Sequence, residues 1–247
     1  MSAIHLTKSG VPGLDEITGG GLPKGRCIAL YGGPGSGKTI LSIQFLYNGA
    51  VDHGENGVFV SLSENPAEIR ANMNAFGWNL KKLEKEGRLA MIDARPVTLT
   101  EEGFIAPTEA LFREEVIPFS HITRLVNEKI EEVQARRIVV DSVTVLTMQY
   151  KDRFYVRQGI LGLVQALTRT GCTALMVSEG LRERPTVNLE IVLVPGVILL
   201  HYARKGEGMV RAVQVLKMRG MRHSEQLHHM EIGDNGMVIH PTERVEL

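Results

Sequence analysis

The sequence predicts an α/β fold: a mostly parallel central sheet flanked by helices, closed at its C-terminal end by an antiparallel hairpin. Three observations carry that expectation. Short apolar runs rich in β-branched residues recur along the first three quarters of the chain, segments of helical period separate them, and the pattern changes after Gly196.

The runs, in order, are CIALY (27–31), GVFVSL (57–62), RLAMID (88–93), RIVVD (137–141) and TALMVS (173–178). They are apolar nearly throughout rather than alternating, as expected of strands covered on both faces. Between them, Ile122, Leu125, Val126, Ile130 and Val133 form one helical stripe, and Val156, Ile160, Leu163, Val164 and Leu167 form another. The run IVLVPGVILL (191–200) is half the roughly 20 residues that a membrane-spanning helix needs, and Pro195 interrupts it, so it reads as a core strand or strand pair. GVILLHYA, a turn at Lys205 to Gly208 and MVRAVQVLKMR then read as a hairpin. The stretch from Arg95 to Pro118 has no clean period and three prolines, which predicts a surface excursion. No repeat or linker divides the 247 residues, so one domain over 1–247 is expected.

The charge balance is 28 basic against 28 acidic residues. It gives no bulk reason to expect nucleic acid or an anionic membrane, so such partners would need a local patch. Cys27 and Cys172 each open an apolar run, which suits reduced core thiols and a cytoplasmic protein. No signal segment is readable at the N-terminus.

Ligands on such a sheet bind beyond the carboxyl ends of its strands. There, between CIALY and a helix opening at Lys38, residues 32–39 read GGPGSGKT, a full match to the G-x-x-x-x-G-K-[ST] phosphate loop. The backbone of Gly33, Pro34, Gly35, Ser36 and Gly37 can wrap a phosphate chain, and the helix N-terminus adds positive partial charge. Lys38 would reach the β- and γ-phosphates, and Thr39 would offer its hydroxyl to Mg²⁺. Asp141, closing RIVVD, is the expected metal carboxylate, brought beside Thr39 if the two strands are neighbours. Glu64, just past GVFVSL, is the expected group that orients or deprotonates the attacking water. Ser178, ending TALMVS, is a weaker expectation for a sensor of the γ-phosphate.

Lys217 and Arg219 are two apart in a strand, so they share one face about 7 Å from each other. Between Tyr202 and His223 six cations face one acid, Glu207. A chain cannot easily reach its own phosphate loop from the sheet's far edge, whereas a neighbouring subunit could do so.

These residues resemble the KaiC group of RecA-like ATPases along almost the whole chain. GVPGLDEITGGGLPKG, GGPGSGKT, SIQFLYNG, GVFVSLSENP, FGWNLKKLEKEG, VVDSVT and KMRG followed by His223 keep the group's order and spacing. The resemblance implies a RecA-like core, ATP with Mg²⁺ at subunit interfaces and a homo-oligomeric ring, usually of six. It assigns Lys38 and Thr39 to the phosphate loop, Asp141 to the metal, Glu64 to catalysis, and Lys217, Arg219 and His223 to the neighbour's nucleotide. Three departures qualify it. Ser63 stands where the group's clock proteins have the first of two adjacent glutamates, which implies slow turnover, and Glu225 replaces a usual lysine. Ile191 and Val192 stand where the clock proteins carry phosphoacceptors, so an autokinase is not expected.

Other classes fare less well. His223, His228, His229 and His240 have no cysteine or acidic partner at zinc-finger spacing. An Asn-Lys-x-Asp element is absent, which favours ATP over GTP. The alternative from another class is a recombinase- or helicase-like ATPase dependent on single-stranded DNA, because QYKDRFYVR (149–157) mixes cations and aromatics. A nucleotide-gated scaffold with negligible turnover also accommodates Ser63. Neither the protein partner nor the physiological output is legible.

Overall fold

A computed structural model of the chain describes residues 4–95, 98–99, 105–106, 118–180 and 193–247. The chain opens with β1 (Leu6–Thr7), α1 (Leu14–Ile17) and β2 (Leu22–Pro23), then runs through β3 (Cys27–Gly32), α2 (Lys38–His53), β4 (Gly57–Ser61), α3 (Pro66–Met73), α4 (Leu80–Lys85) and β5 (Leu89–Asp93). A short pair, β6 (Thr98–Leu99) and β7 (Ile105–Ala106), precedes α5 (Phe119–Val133), β8 (Arg137–Asp141), α6 (Val143–Met148), α7 (Arg153–Arg169) and β9 (Thr173–Glu179). Four long strands end it: β10 (Gly196–Lys205), β11 (Gly208–Met218), β12 (Leu227–Gly233) and β13 (Gly236–Arg244).

Nine strands form one sheet in the order β13-β12-β11-β10-β3-β9-β8-β4-β5. Pairing is parallel from β10 to β5 and antiparallel from β10 to β13. All five expected core strands are present, and so is the expected hairpin. The sheet then continues through β12 and β13, which the sequence reading did not resolve. Among the described residues of IVLVPGVILL there is one strand: β10 starts at Gly196, immediately after the proline that cannot donate to a ladder. Most of the excursion expected at 95–118, and the Ile191 and Val192 positions, lie outside the described residues.

The alternating faces of the parallel strands feed two cores. Ile28, Leu30, Phe59, Val139, Leu175 and Val177 pack against the side that carries α2. Ala29, Tyr31, Val58, Val60, Val140 and Met176 pack against the side that carries α5 and α7, where both expected stripes contribute buried residues. Helix starts follow local chemistry: Asn65, Ser142 and Asp152 accept from backbone N–H groups at the heads of α3, α6 and α7. Cys27 and Cys172 are buried free thiols, and burial pushes the Cys27 thiol up to about 12. Among the described residues no helix is long and apolar enough to cross a membrane.

One buried cation ties the N-terminal segment to this frame. Arg137 on β8 has no exposed surface and donates to the carbonyls of Lys8, Ser9 and Phe45 and to the Glu55 carboxylate. Its guanidinium also lies 4.6 Å from the centre of the Phe45 ring.

Candidate functional site: a nucleotide cleft

The loop from Gly32 to α2 turns back sharply at Gly35 and Gly37, whose φ angles of 73° and 95° are left-handed. Ser36, fully buried, donates its hydroxyl to Gly33 O at 2.8 Å and locks the turn. Gly37 heads α2 without any side-chain cap, so the N–H groups of the first helical turn are left facing the cleft. Lys38 is 8% exposed, and its ammonium donates to the Gly33 carbonyl at 3.0 Å. An uncapped helix N-terminus with a buried ammonium folded onto its own loop fits a polyphosphate.

Thr39 Oγ1 donates to Asp141 Oδ2 at 2.9 Å and lies 3.3 Å from Glu64 Oε1. The route of this contact differs from the expectation. The strands β3 and β8 are not neighbours, because β9 lies between them. Thr39 nevertheless reaches Asp141, since α2 crosses over β8 and β4 after leaving the loop. Burial pushes the Asp141 carboxyl up to about 6, helped by the Glu64 and Glu179 charges and opposed by the Thr39 hydrogen bond and the Lys38 charge. A buried carboxylate short of positive charge, next to a hydroxyl, offers hard oxygen donors that fit Mg²⁺. Such an ion takes its remaining ligands from phosphate and water, and among the described residues no cluster of three metal-ligating side chains exists.

These groups open into one cleft of about 390 Å³, lined by the loop, Thr39, Ser63, Glu64 and Asp141. Four further residues line it that the sequence reading missed: Ile40, Glu179, Arg211 and Ile232. Arg211 on β11 donates to Gly35 O at 3.1 Å and stacks 4.2 Å from the centre of the Tyr202 ring, so the antiparallel strands supply a wall of the chain's own cleft. Ser178 does not line the cleft. Its buried hydroxyl points to the opposite face of the sheet and shares a 3.2 Å hydrogen bond with Thr144 on α6. The strand runs one residue beyond the expected end, and it is Glu179 that turns to the α2 side.

The sequence profile of the family described as "ATPase: KaiC" matches residues 7–244. The chain belongs to the KaiC ATPase family. It is 37% identical over 245 residues to a UPF0273 protein of Thermotoga maritima, covering 97% of this chain and 98% of that one. It is 35% identical over 245 residues to the circadian clock oscillator protein KaiC of Synechococcus elongatus, covering 97% of this chain but 45% of that one. The crystal structure of the KaiC-like protein PH0186 from Pyrococcus horikoshii superposes with a TM-score of 0.82 at 32% identity, covering 97% of this chain and all of that one. A KaiC ATPase domain is a nucleotide-binding unit of RecA-like fold.

Within this KaiC-like frame the remaining expected residues lie elsewhere. Lys217 pairs with Val197, which registers with Ala29 in the middle of β3, about 10 Å along the strand from Gly32. Arg219 lies further back, beside Arg26 at the start of β3, whose six residues span about 20 Å. Partial burial pulls the Lys217 ammonium down, and the Arg219 charge adds to the effect. Arg219 is fixed by its backbone: its N–H donates to Pro195 O at 2.9 Å, and its carbonyl accepts from Arg26 at 2.8 Å. His223 has its Nδ1 3.0 Å from Ser224 O. His229 and His240 stack 5.2 Å apart on the terminal strands, each beside a glutamate, and line no part of the cleft. A larger hollow of about 520 Å³, lined by residues such as Lys8, Asp15 and Asn48, holds none of the expected site residues.

Proposed function

We propose that the chain is a Mg²⁺-dependent ATPase that acts in the cytoplasm as a ring-forming regulator, six copies to a ring, with each nucleotide held between two subunits. The observation that carries the reading is the Thr39 hydroxyl seated between the Asp141 and Glu64 carboxylates at the mouth of an uncapped helix N-terminus. In this reading the α2 N–H groups and Lys38 hold the β- and γ-phosphates. Thr39 and Asp141 hold Mg²⁺, which when bound neutralises phosphate charge. Glu64 orients the attacking water and takes its proton.

The position of Arg219 beside the start of β3 supports a contribution to the neighbour's nucleotide, because about 20 Å of strand separates it from the chain's own loop, and the resemblance adds Lys217 and His223. Cations there would offset charge developing on the transferred phosphoryl group. Scattering mass with and without ATP and Mg²⁺, together with phosphate release, tests the reading. Assembly on ATP with turnover that Glu64→Gln abolishes, while assembly survives, is expected. Assembly without phosphate release leaves a nucleotide-gated scaffold instead.

A second reading, a single-stranded DNA-dependent ATPase, draws on one surface. Met148, Phe154 and Tyr155 are 77%, 61% and 61% exposed beside the exposed cations Lys151, Arg153 and Arg157. Fluorescence anisotropy of labelled single strands at two salt concentrations decides it, and no binding at low salt removes it.

A further inference from the structure

We infer that Glu179 is a second catalytic carboxylate of this cleft, which holds the attacking water together with Glu64. The inference rests on the ATPase reading above. Three carboxylates stand at the carboxyl ends of three adjacent strands: Glu179 on β9, Asp141 on β8 and Glu64 just beyond β4. In register, Glu179 lies beside Gly32 at the root of the phosphate loop, so it is the acid nearest that loop along the sheet.

Alternation along β9 sets its direction. Val177 packs with α2 residues in one core and Met176 in the other, so Glu179 faces α2 and the loop while Ser178 faces α6. The backbone is pinned there, because Glu179 N–H donates to Thr144 Oγ1 at 2.7 Å. Glu179 lines the cleft with Lys38, Thr39, Glu64 and Asp141.

An anion aimed into a site for a polyanion is unfavourable unless something donates to it. Among the described residues of the cleft, Lys38 donates to the Gly33 carbonyl, Arg211 to the Gly35 carbonyl and Thr39 to Asp141. Glu179 is exposed on the cleft side, where water can donate to it. A water held by two acceptors has both protons directed and one lone pair free for the phosphorus. In the step, the water oxygen bonds to the γ-phosphorus, the bond from that phosphorus to the β,γ-bridging oxygen breaks, and its electron pair leaves with ADP. The proton released goes to Glu64, and Glu179 keeps the other O–H aligned. Ser63, which lines the same cleft, brings no carboxylate to this task.

The test compares wild type, Glu64→Gln and Glu179→Gln for phosphate release and for affinity towards a fluorescent ATP analogue with and without Mg²⁺. For Glu179→Gln, kcat is expected to fall at least tenfold while KM and analogue affinity stay within about twofold of wild type. Turnover at the wild-type rate overturns the assignment, and so does a loss of affinity that matches the loss of rate. Should the glutamine variant melt early, Glu179→Asp withdraws the carboxylate by one methylene and is held to the same criteria. A wild type that binds the analogue but releases no phosphate sinks the ATPase reading itself; a dead Glu64→Gln beside a normal Glu179→Gln sinks only this inference.

Discussion

Thr39 and Asp141, 102 residues apart in sequence, meet at 2.9 Å although the strands that lead to them are not neighbours. The contact joins a helix N-terminus that attracts anions to a carboxylate buried at the cleft floor. Burial disfavours the ionised carboxylate, and the folded state bears that cost as strain.

The strain gives a pH dependence. The folded Asp141 carboxyl sits at about 6 against an ordinary 3.8, so the folded chain binds this proton more tightly than the unfolded chain does. The favourable contribution is complete below about pH 4, is lost as pH rises to about 6, and stays lost above that. Two units correspond to about 3 kcal/mol. Urea denaturation in EDTA is therefore expected to show Asp141→Asn matching wild type near pH 4 and exceeding it by up to about 3 kcal/mol at pH 7.5. With Mg²⁺ and ATP the order reverses, because only wild type gains the linked binding energy.

Arg137 is the opposite case, a buried charge whose needs are met. Removing the guanidinium leaves Glu55 and the carbonyls of Lys8, Ser9 and Phe45 without their donor. Arg137→Met is expected to cost about 3–5 kcal/mol in urea denaturation, and adding Glu55→Gln recovers part of that by removing the stranded carboxylate.

What the sequence revealed depended on how local each signal is. GGPGSGKT needs only its own eight residues and a strand and helix beside them, and Asp141 and Glu64 needed only the ends of apolar runs. Ser178 lies one residue from the cleft lining: alternation in a strand sends adjacent side chains to opposite faces, so the hydroxyl bonds Thr144 while Glu179 lines the cleft. Arg211 was counted in a basic run, yet its role depends on Tyr202 across a hairpin and Gly35 across the sheet, 176 residues away. No period or spacing encodes such a pairing.

Arg211 yields a prediction of its own. Its guanidinium braces the loop from outside, through one charged hydrogen bond to Gly35 O and one ring contact. The residue is partly exposed, so its loss is expected to weaken binding by about 1 kcal/mol, or roughly fivefold in the dissociation constant of a fluorescent ATP analogue. Turnover at saturating ATP should remain near wild type, because Lys38, Thr39 and Glu64 are untouched. A variant with unchanged affinity would show that the brace does not shape the loop.

Whether Arg219 serves its own cleft or a neighbour's can be decided by mixing subunits. Arg219→Ala alone should bind nucleotide and fail to hydrolyse it, and so should Glu64→Gln. If cations act across an interface, a mixed ring contains junctions in which a subunit with intact Glu64 receives an intact Arg219 from the next, and those junctions regain turnover. If both residues act on one subunit's own nucleotide, every site in the mixture lacks one of them and none recovers. At equal proportions and random order about a quarter of the junctions are complete, so phosphate release from the co-assembled mixture near a quarter of the wild-type rate is expected. A rate no higher than that of the separate variants would place Arg219 outside the reaction of the adjoining subunit.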